Sequence, residues 1–152
     1  MRVFVDTSAL FAVVDADDEH HEPARQTWTQ LIADGADLVV TNYVLLETFS
    51  LLQRRLGMAA LRTFQQSVDS ILNTEWVRED LHAAGMAAFL AMSHRHLSLV
   101  DCVSFAAMRR LGIGVVFAFD RHFADQGFLC IPPTGDGLAE EPVVYTEMYP
   151  SK

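Results

Sequence analysis

The runs of this sequence fit for β-strands are short and almost wholly apolar, and that narrows the possible folds more than any other feature. Arg2–Val5, Leu38–Val40, Val115–Phe119 and Phe128–Ile131 carry little polar alternation. A strand with one face in water alternates apolar and polar residues, whereas a strand covered on both faces does not. Between these runs lie segments with apolar residues at helical spacing. Val44, Leu45, Phe49, Leu52 and Leu56 mark one, opened by Thr41-Asn42 and closed by Gly57. Strands alternating with helices imply an α/β fold, with a parallel sheet covered on both sides.

The other elements follow the same logic. Ala9–Val14 reads as a helix. Asp17 and Asp18 offer N-caps to a second helix, which tolerates Pro23 in its early turns and stops near Asp34-Gly35. Helices are expected over about Met58–Leu72 and Asp80–Met92, with a short strand at Trp76-Val77 between them. Ser98 opens a helix through Val100, Val103, Ala107 and Leu111 that Gly112 closes. From Pro132 the composition changes. Pro132-Pro133-Thr134-Gly135-Asp136-Gly137 is turn-forming, and Glu140, Glu141 and Glu147 follow among Val143, Val144 and Tyr145. One domain is therefore expected over 1–131 and an acidic tail over 132–152.

Composition sets the outer limits. A chain of 152 residues that is 51% hydrophobic buries a sizeable core without disulfides or a structural metal. Cys102 and Cys130 belong to no metal-spaced set and fit apolar positions in a reducing compartment. No apolar run is long enough to span a bilayer, and the N-terminal one is broken by Asp6, so a cytoplasmic protein is expected. The formal net charge of -9 argues against a general nucleic-acid binder. It leaves room for a nuclease, because cations supply positive charge at an acidic site. Lys152 is the only lysine; the pairs Arg54-Arg55 and Arg109-Arg110 suit either a phosphate path or solvated helix ends.

Against this frame the positions of certain acids matter. Asp6 follows the first strand directly, and Asp120 follows Val115–Phe119. Both fall at carboxyl ends of parallel strands, where open α/β sheets place their ligands. Glu47 lies early in the helix after the second strand, and Asp101 in the first turn of the helix from Ser98. Helices that follow strands begin on the same edge, so all four acids are expected on one rim. Carboxylates held together raise one another's pKa or recruit a cation. Their hard oxygens suit Mg²⁺ or Mn²⁺, which points to phosphate chemistry. Each acid also has a local role open to it: Asp6 and Asp120 as caps, and Asp101 as partner of Ser98 in a capping box. Glu47, among Val44, Leu45, Leu46 and Phe49, fits a solvated surface less well. Thr7 and Ser8 place hydroxyls beside Asp6, and Asp125 is an auxiliary acid beyond Asp120. His94 and His96 read as an exposed helix end. Serine-hydrolase and P-loop motifs are missing. A haloacid-dehalogenase-like phosphatase wants a second acid two residues after the first, where this chain has Ser8.

Four segments in order resemble the PIN domain family, in particular the VapC-like toxin nucleases. They are Val3-Phe4-Val5-Asp6-Thr7-Ser8-Ala9-Leu10, Thr41-Asn42-Tyr43-Val44-Leu45-Leu46-Glu47-Thr48, Leu97 to Phe105 with Met108 to Ile113, and Val116 to Phe123. The resemblance implies a three-layer α/β/α sandwich and a Mg²⁺- or Mn²⁺-dependent endoribonuclease. It implies Asp6, Asp101 and Asp120 as metal ligands, Glu47 completing the acidic cluster, and Ser8 as a hydroxyl near the metal. It further implies an RNA substrate, a small antitoxin partner and a homodimer. The acidic balance and the tail depart from the usual toxin. The alternative is a PIN-like RNA-processing or regulatory binding module without a toxin role.

Overall fold

Val3, Phe4 and Val5 are each fully buried, so both faces of the first strand are covered, as its unbroken apolar run requires. In a computed structural model, which describes residues 1–133, this strand is the centre of a five-stranded sheet. The expected tail lies, from residue 134, outside the described residues. In chain order the elements are β1 (Arg2–Val5), α1 (Thr7–Val14), α2 (His21–Ala33), β2 (Asp37–Thr41), α3 (Asn42–Leu56), α4 (Met58–Ser67), β3 (Asn73–Glu75), α5 (Glu79–Met92), α6 (Leu99–Leu111), β4 (Val115–Phe117), α7 (His122–Asp125) and β5 (Leu129–Ile131).

Every strand pair is parallel, in the order β3-β2-β1-β4-β5. The chain therefore steps outward from β1 to β2 and β3, then returns to lay β4 on the other side of β1. Right-handed crossovers put α1 to α4 on one face and α5 to α7 on the other. Contacts of α1 with α2 and α3, of α3 with α4, and of α5 with α6 agree with this assignment. The architecture is the expected α/β/α sandwich. Its switch point, where strand order reverses, lies between β1 and β4, and there the carboxyl ends open a crevice.

Four elements have ends that differ from the sequence expectation. The third strand is Asn73–Glu75, not Trp76-Val77: a polar edge strand held by backbone pairing Val39↔Asn73 to Thr41↔Glu75 carries no apolar signature. Trp76 is instead 63% exposed. The helix expected over Met58–Leu72 ends at Ser67, and Asp69–Ile71 is a separate 3-10 turn. Helix α2 starts at His21, because the Asp15 and Asp18 carboxylates bond the backbone N–H of Asp17 and His20 in the preceding turn. Strand β4 stops at Phe117, and the short helix α7 follows Asp120.

Helices α5 and α6 meet at a glycine. A Cβ on Gly85 would stand 2.3 Å from Val103 Cγ2 and 3.0 Å from Val103 Cα. Val103 is itself fully buried, so it has little room to give. Gly85→Ala is expected to destabilise the fold by about 1–3 kcal/mol in urea unfolding, despite the better helix propensity of alanine. Adding Val103→Ala should recover part of the loss by clearing Cγ2. A Gly85→Ala protein as stable as the parent would show that the two helices separate freely.

Candidate active site

The rim is assembled at the β1–β4 junction. The Asp6 amide donates to the Phe117 carbonyl at 3.0 Å, tying the end of β1 to β4. Asp6 has extended backbone and caps α1. Its Oδ2 accepts the Ser8 amide at 3.1 Å and the Ser8 hydroxyl at 2.7 Å. The same hydroxyl accepts the Phe119 amide at 3.0 Å. One Ser8 side chain thus bonds the carboxylate that follows β1 to the backbone that follows β4. Ser8 is placed near the acids as expected, with its proton committed to Asp6.

Asp101 forms the anticipated capping box. Ser98 Oγ accepts the Asp101 amide at 3.1 Å, and Asp101 Oδ2 accepts the Ser98 amide at 2.9 Å. Asp120 Oδ1 accepts the His122 amide at 2.9 Å, an Asx turn into α7. In all three aspartates one oxygen fixes the local backbone. The other, Oδ1 of Asp6 and Asp101 or Oδ2 of Asp120, accepts no hydrogen bond among the described residues. Local capping and a site role are therefore compatible within each residue.

Glu47 comes from the second turn of α3. That helix starts cleanly because Thr41 Oγ1 accepts the Val44 amide at 3.1 Å. Beneath Glu47, Thr48 donates to the Val44 carbonyl at 2.8 Å, and Thr7 and Thr48 hydroxyls meet at 3.1 Å. This buried pair pins the start of α1 to α3. Thr48 was missed in the sequence; the available signal was a hydroxyl on the apolar side of the helix that carries Glu47.

The electrostatics show that the four acids share one neighbourhood. Burial pushes Asp6 up to about 7; the Ser8 bonds oppose this, and the charges of Asp101 and Glu47 add to it. Burial also raises Glu47, against the Thr7 hydroxyl and with Asp101 and Asp120 adding. Asp101 rises by burial, opposed first by the Ser98 amide, with Asp120 adding and His122 lowering. The arginines in ion pairs bind Asp37, Glu22 and Asp80, none of them in the cluster. The His122 imidazole lies 4.0 Å from Asp120 on one side and 3.9 Å from Asp125 on the other. Asp125 is two-thirds exposed and belongs to the outer surface of α7.

The donor set fits a hard divalent cation. It offers carboxylate oxygens with no arginine in an ion pair to them among the described residues, and a cation offsets the charge repulsion directly. Among the described residues no three His, Cys, Asp or Glu side chains already stand at direct-coordination spacing. Of the other sequence candidates, Arg110 is paired with Asp80 at 2.8 Å, and Arg109 bonds Gln126 and lies over the Phe128 ring. This pair is structural and lines no phosphate path. Arg55 lies over Phe11, near the end of α3 remote from the rim.

Comparison with known proteins agrees with this geometry. The PIN domain model matches residues 3–129. The chain is 36% identical over 133 residues to the 23S rRNA-specific endonuclease VapC20 of Mycobacterium tuberculosis, covering 86% of this chain and 98% of that protein. It is 26% identical over 129 residues to a VapC ribonuclease of Aquifex aeolicus, covering 85% and 95%. The crystal structure of M. tuberculosis VapC20, described as a sarcin-ricin loop cleaving toxin, superposes with a TM-score of 0.71 at 34% identity over 84% of this chain and 96% of that one. FitAcB from Neisseria gonorrhoeae shares the fold alone, with a TM-score of 0.62 at 13% identity over 86% and 96%. The match spans β1 to the start of β5 and takes in every acid of the rim: this chain belongs to the PIN domain family, with VapC proteins among its relatives.

Proposed function

We propose that this protein is a Mg²⁺- or Mn²⁺-dependent endoribonuclease, with Asp6, Glu47, Asp101 and Asp120 as its catalytic carboxylates, and that it is the toxin of a toxin–antitoxin pair. The observation that carries the reading is the convergence of four acids from four separate elements on the rim of the switch point, with no arginine paired to them among the described residues. The relatives described as ribonucleases support the reaction class, and a relative that cuts the sarcin-ricin loop supports an RNA loop as substrate.

Asp6, Asp101 and Asp120 would hold the ion through their unbonded oxygens, with Glu47 completing the cluster directly or through water. When bound, the ion would activate water, neutralise the attacked phosphate and steady the leaving oxygen. The chain's own part is placement. Ser8 fixes the rotamer of Asp6, Ser98 that of Asp101, and the α7 turn that of Asp120, so little side-chain freedom is lost when substrate arrives. A small antitoxin and a homodimer complete this reading; exposed Leu46 on α3 and Leu90 on α5 are apolar surface available to protein contacts. Among the described residues no helix is long and apolar enough to cross a membrane.

Purified protein is expected to cut a mixed RNA pool with Mg²⁺ or Mn²⁺ and to stop in EDTA. Asp6→Asn and Asp101→Asn should each lower the rate by more than about 100-fold, beyond the usual loss for a supporting residue. Full activity in both variants would overturn the assignment. Cleavage without any antitoxin gene nearby would favour the RNA-processing alternative.

The burial of Asp6 gives a second expectation. Its carboxyl sits at about 7 in the fold against 3.8 in the unfolded chain, so the folded state binds the extra proton. The associated stability is fully present below about pH 3.8 and is lost as pH rises to about 7. Across that window the loss accumulates at about 1.4 kcal/mol per pH unit, and above it the cost of the ionised carboxylate to the metal-free fold levels off at about 4 kcal/mol. In EDTA at pH 8, Asp6→Asn should therefore melt higher than the parent, the gap shrinking steadily as pH falls toward 4. Mn²⁺ should raise the melting temperature of the parent and not that of the variant. Equal stability of the two proteins in EDTA at pH 8 would refute the buried-charge account.

A further inference from the structure

In a chain of net charge -9, the few uncommitted cations decide where an RNA backbone can lie. Arg2, Arg25 and Arg110 are neutralised by acids, and Arg109 is spent on Gln126 and Phe128. Among the described residues Arg54, Arg62, Arg78, Arg95 and Arg121 are exposed and make no ion pair or side-chain hydrogen bond, and of these Arg95 and Arg121 lie on the segments that lead to Asp101 and Asp120. Arg121 adjoins Asp120. Arg95 sits in the turn that leads from α5 into α6, the helix that presents Asp101.

That turn is built, not merely exposed. Ser93 ends α5 in the left-handed region at φ 48° and reverses the chain. The His96 amide donates to His94 Nδ1 at 3.2 Å, the Leu97 amide donates to the His94 carbonyl at 3.2 Å, and buried Leu97 anchors the far end. The His94 ring packs edge to face on His96 at 6.0 Å and on His122 at 5.6 Å. His122 in turn bonds Asp120 through its amide. Three imidazoles are thus packed together beside Asp120, with His94 touching both of the others. Their edge-to-face packing does not converge ring nitrogens on a point, so it is an arrangement for stacking and not for a second metal. His94 and Arg95 line a cleft of about 650 Å³ together with Phe89, Leu90, Leu97 and Leu99.

We propose that the His94–Arg95–His96 turn, with Arg121 and His122, is the surface that holds the RNA strand flanking the cleaved bond: the arginines on phosphates, the imidazoles and the apolar cleft on unstacked bases. The proposal rests on the nuclease reading and assigns residues beyond the four acids. Guanidinium groups suit phosphate, and unpaired bases stack on aromatic and imidazole faces. The placement also answers the charge problem. Phosphates flanking the acidic cluster meet cations at Arg95 and Arg121, while the scissile one faces the carboxylates and their ion.

The test uses the full chain with Mg²⁺ and a labelled single-stranded RNA of mixed sequence. Binding is read by fluorescence anisotropy in an Asp6→Asn background, and cleavage is read in the active protein. Arg95→Gln and Arg121→Gln should each weaken binding about three- to tenfold and reduce the slope of log affinity against log salt by about one. In the active protein they should raise KM by a similar factor while kcat changes less than about twofold. His94→Ala should weaken binding without changing the salt slope. Arg2→Gln removes the same charge from the opposite edge of the sheet and should leave affinity within about twofold. Cleavage by the parent with unchanged KM in both arginine variants would overturn this surface and leave the nuclease intact. An equal loss in Arg2→Gln would overturn it in favour of a net-charge effect. A parent that neither binds nor cuts RNA would overturn the nuclease reading itself.

Discussion

The site hangs on the junction of β1 with β4, and on one hydroxyl that spans it. Ser8 donates to Asp6 and accepts from Phe119, so the first acid is held by the backbone that leads to the last. The Asp6 amide makes a second tie to Phe117. These bonds sit between strands far apart in sequence, at the one place where the sheet reverses its order. Local chain geometry then sets the rest of the rim: a capping box orients Asp101, an Asx turn orients Asp120, and the Thr7–Thr48 contact sets α3 against α1.

This arrangement is costly without a cation. Buried carboxylates with no basic partner lose solvation and repel one another, which is why Asp6, Glu47 and Asp101 all shift upward. A fold selected for stability alone would pair them or replace them with apolar residues. The hydrophobic sheet below tolerates the strain because β1, β4 and the inner face of α6 are buried almost completely. Asp6, Asp101 and Asp120 also bond the local backbone, which limits the loss, since each keeps one oxygen bonded.

Much of the architecture was legible in the chain. Unbroken apolar runs at Val3–Val5 and Val115–Phe117 announced buried parallel strands, and Thr41, Ser98, Gly57 and Gly112 marked helix ends where the structure has them. The edge strand Asn73–Glu75 was not legible, because its place comes from backbone pairing with β2 and not from its side chains. The start of α2 was displaced for a related reason: Asp15 and Asp18 bond the turn before the helix, and propensity alone does not separate a cap from a turn.

The positions of Asp6, Glu47, Asp101 and Asp120 after strands and in the early turns of helices follow from the sequence, because periodicity fixes the elements and parallel order puts their ends on one edge. Sequence also supplied the charge balance, and with it the need for a cation at any phosphate site. What only the tertiary structure decided is which side chains share that edge. The crossing of β4 back to β1 brings Ser8 to Phe119, the packing of α1 on α3 joins Thr7 to Thr48, and the turn after α5 sets His94 against His122. Contacts between residues 28 to 111 positions apart depend on helix packing and strand order, which no local pattern of side chains encodes.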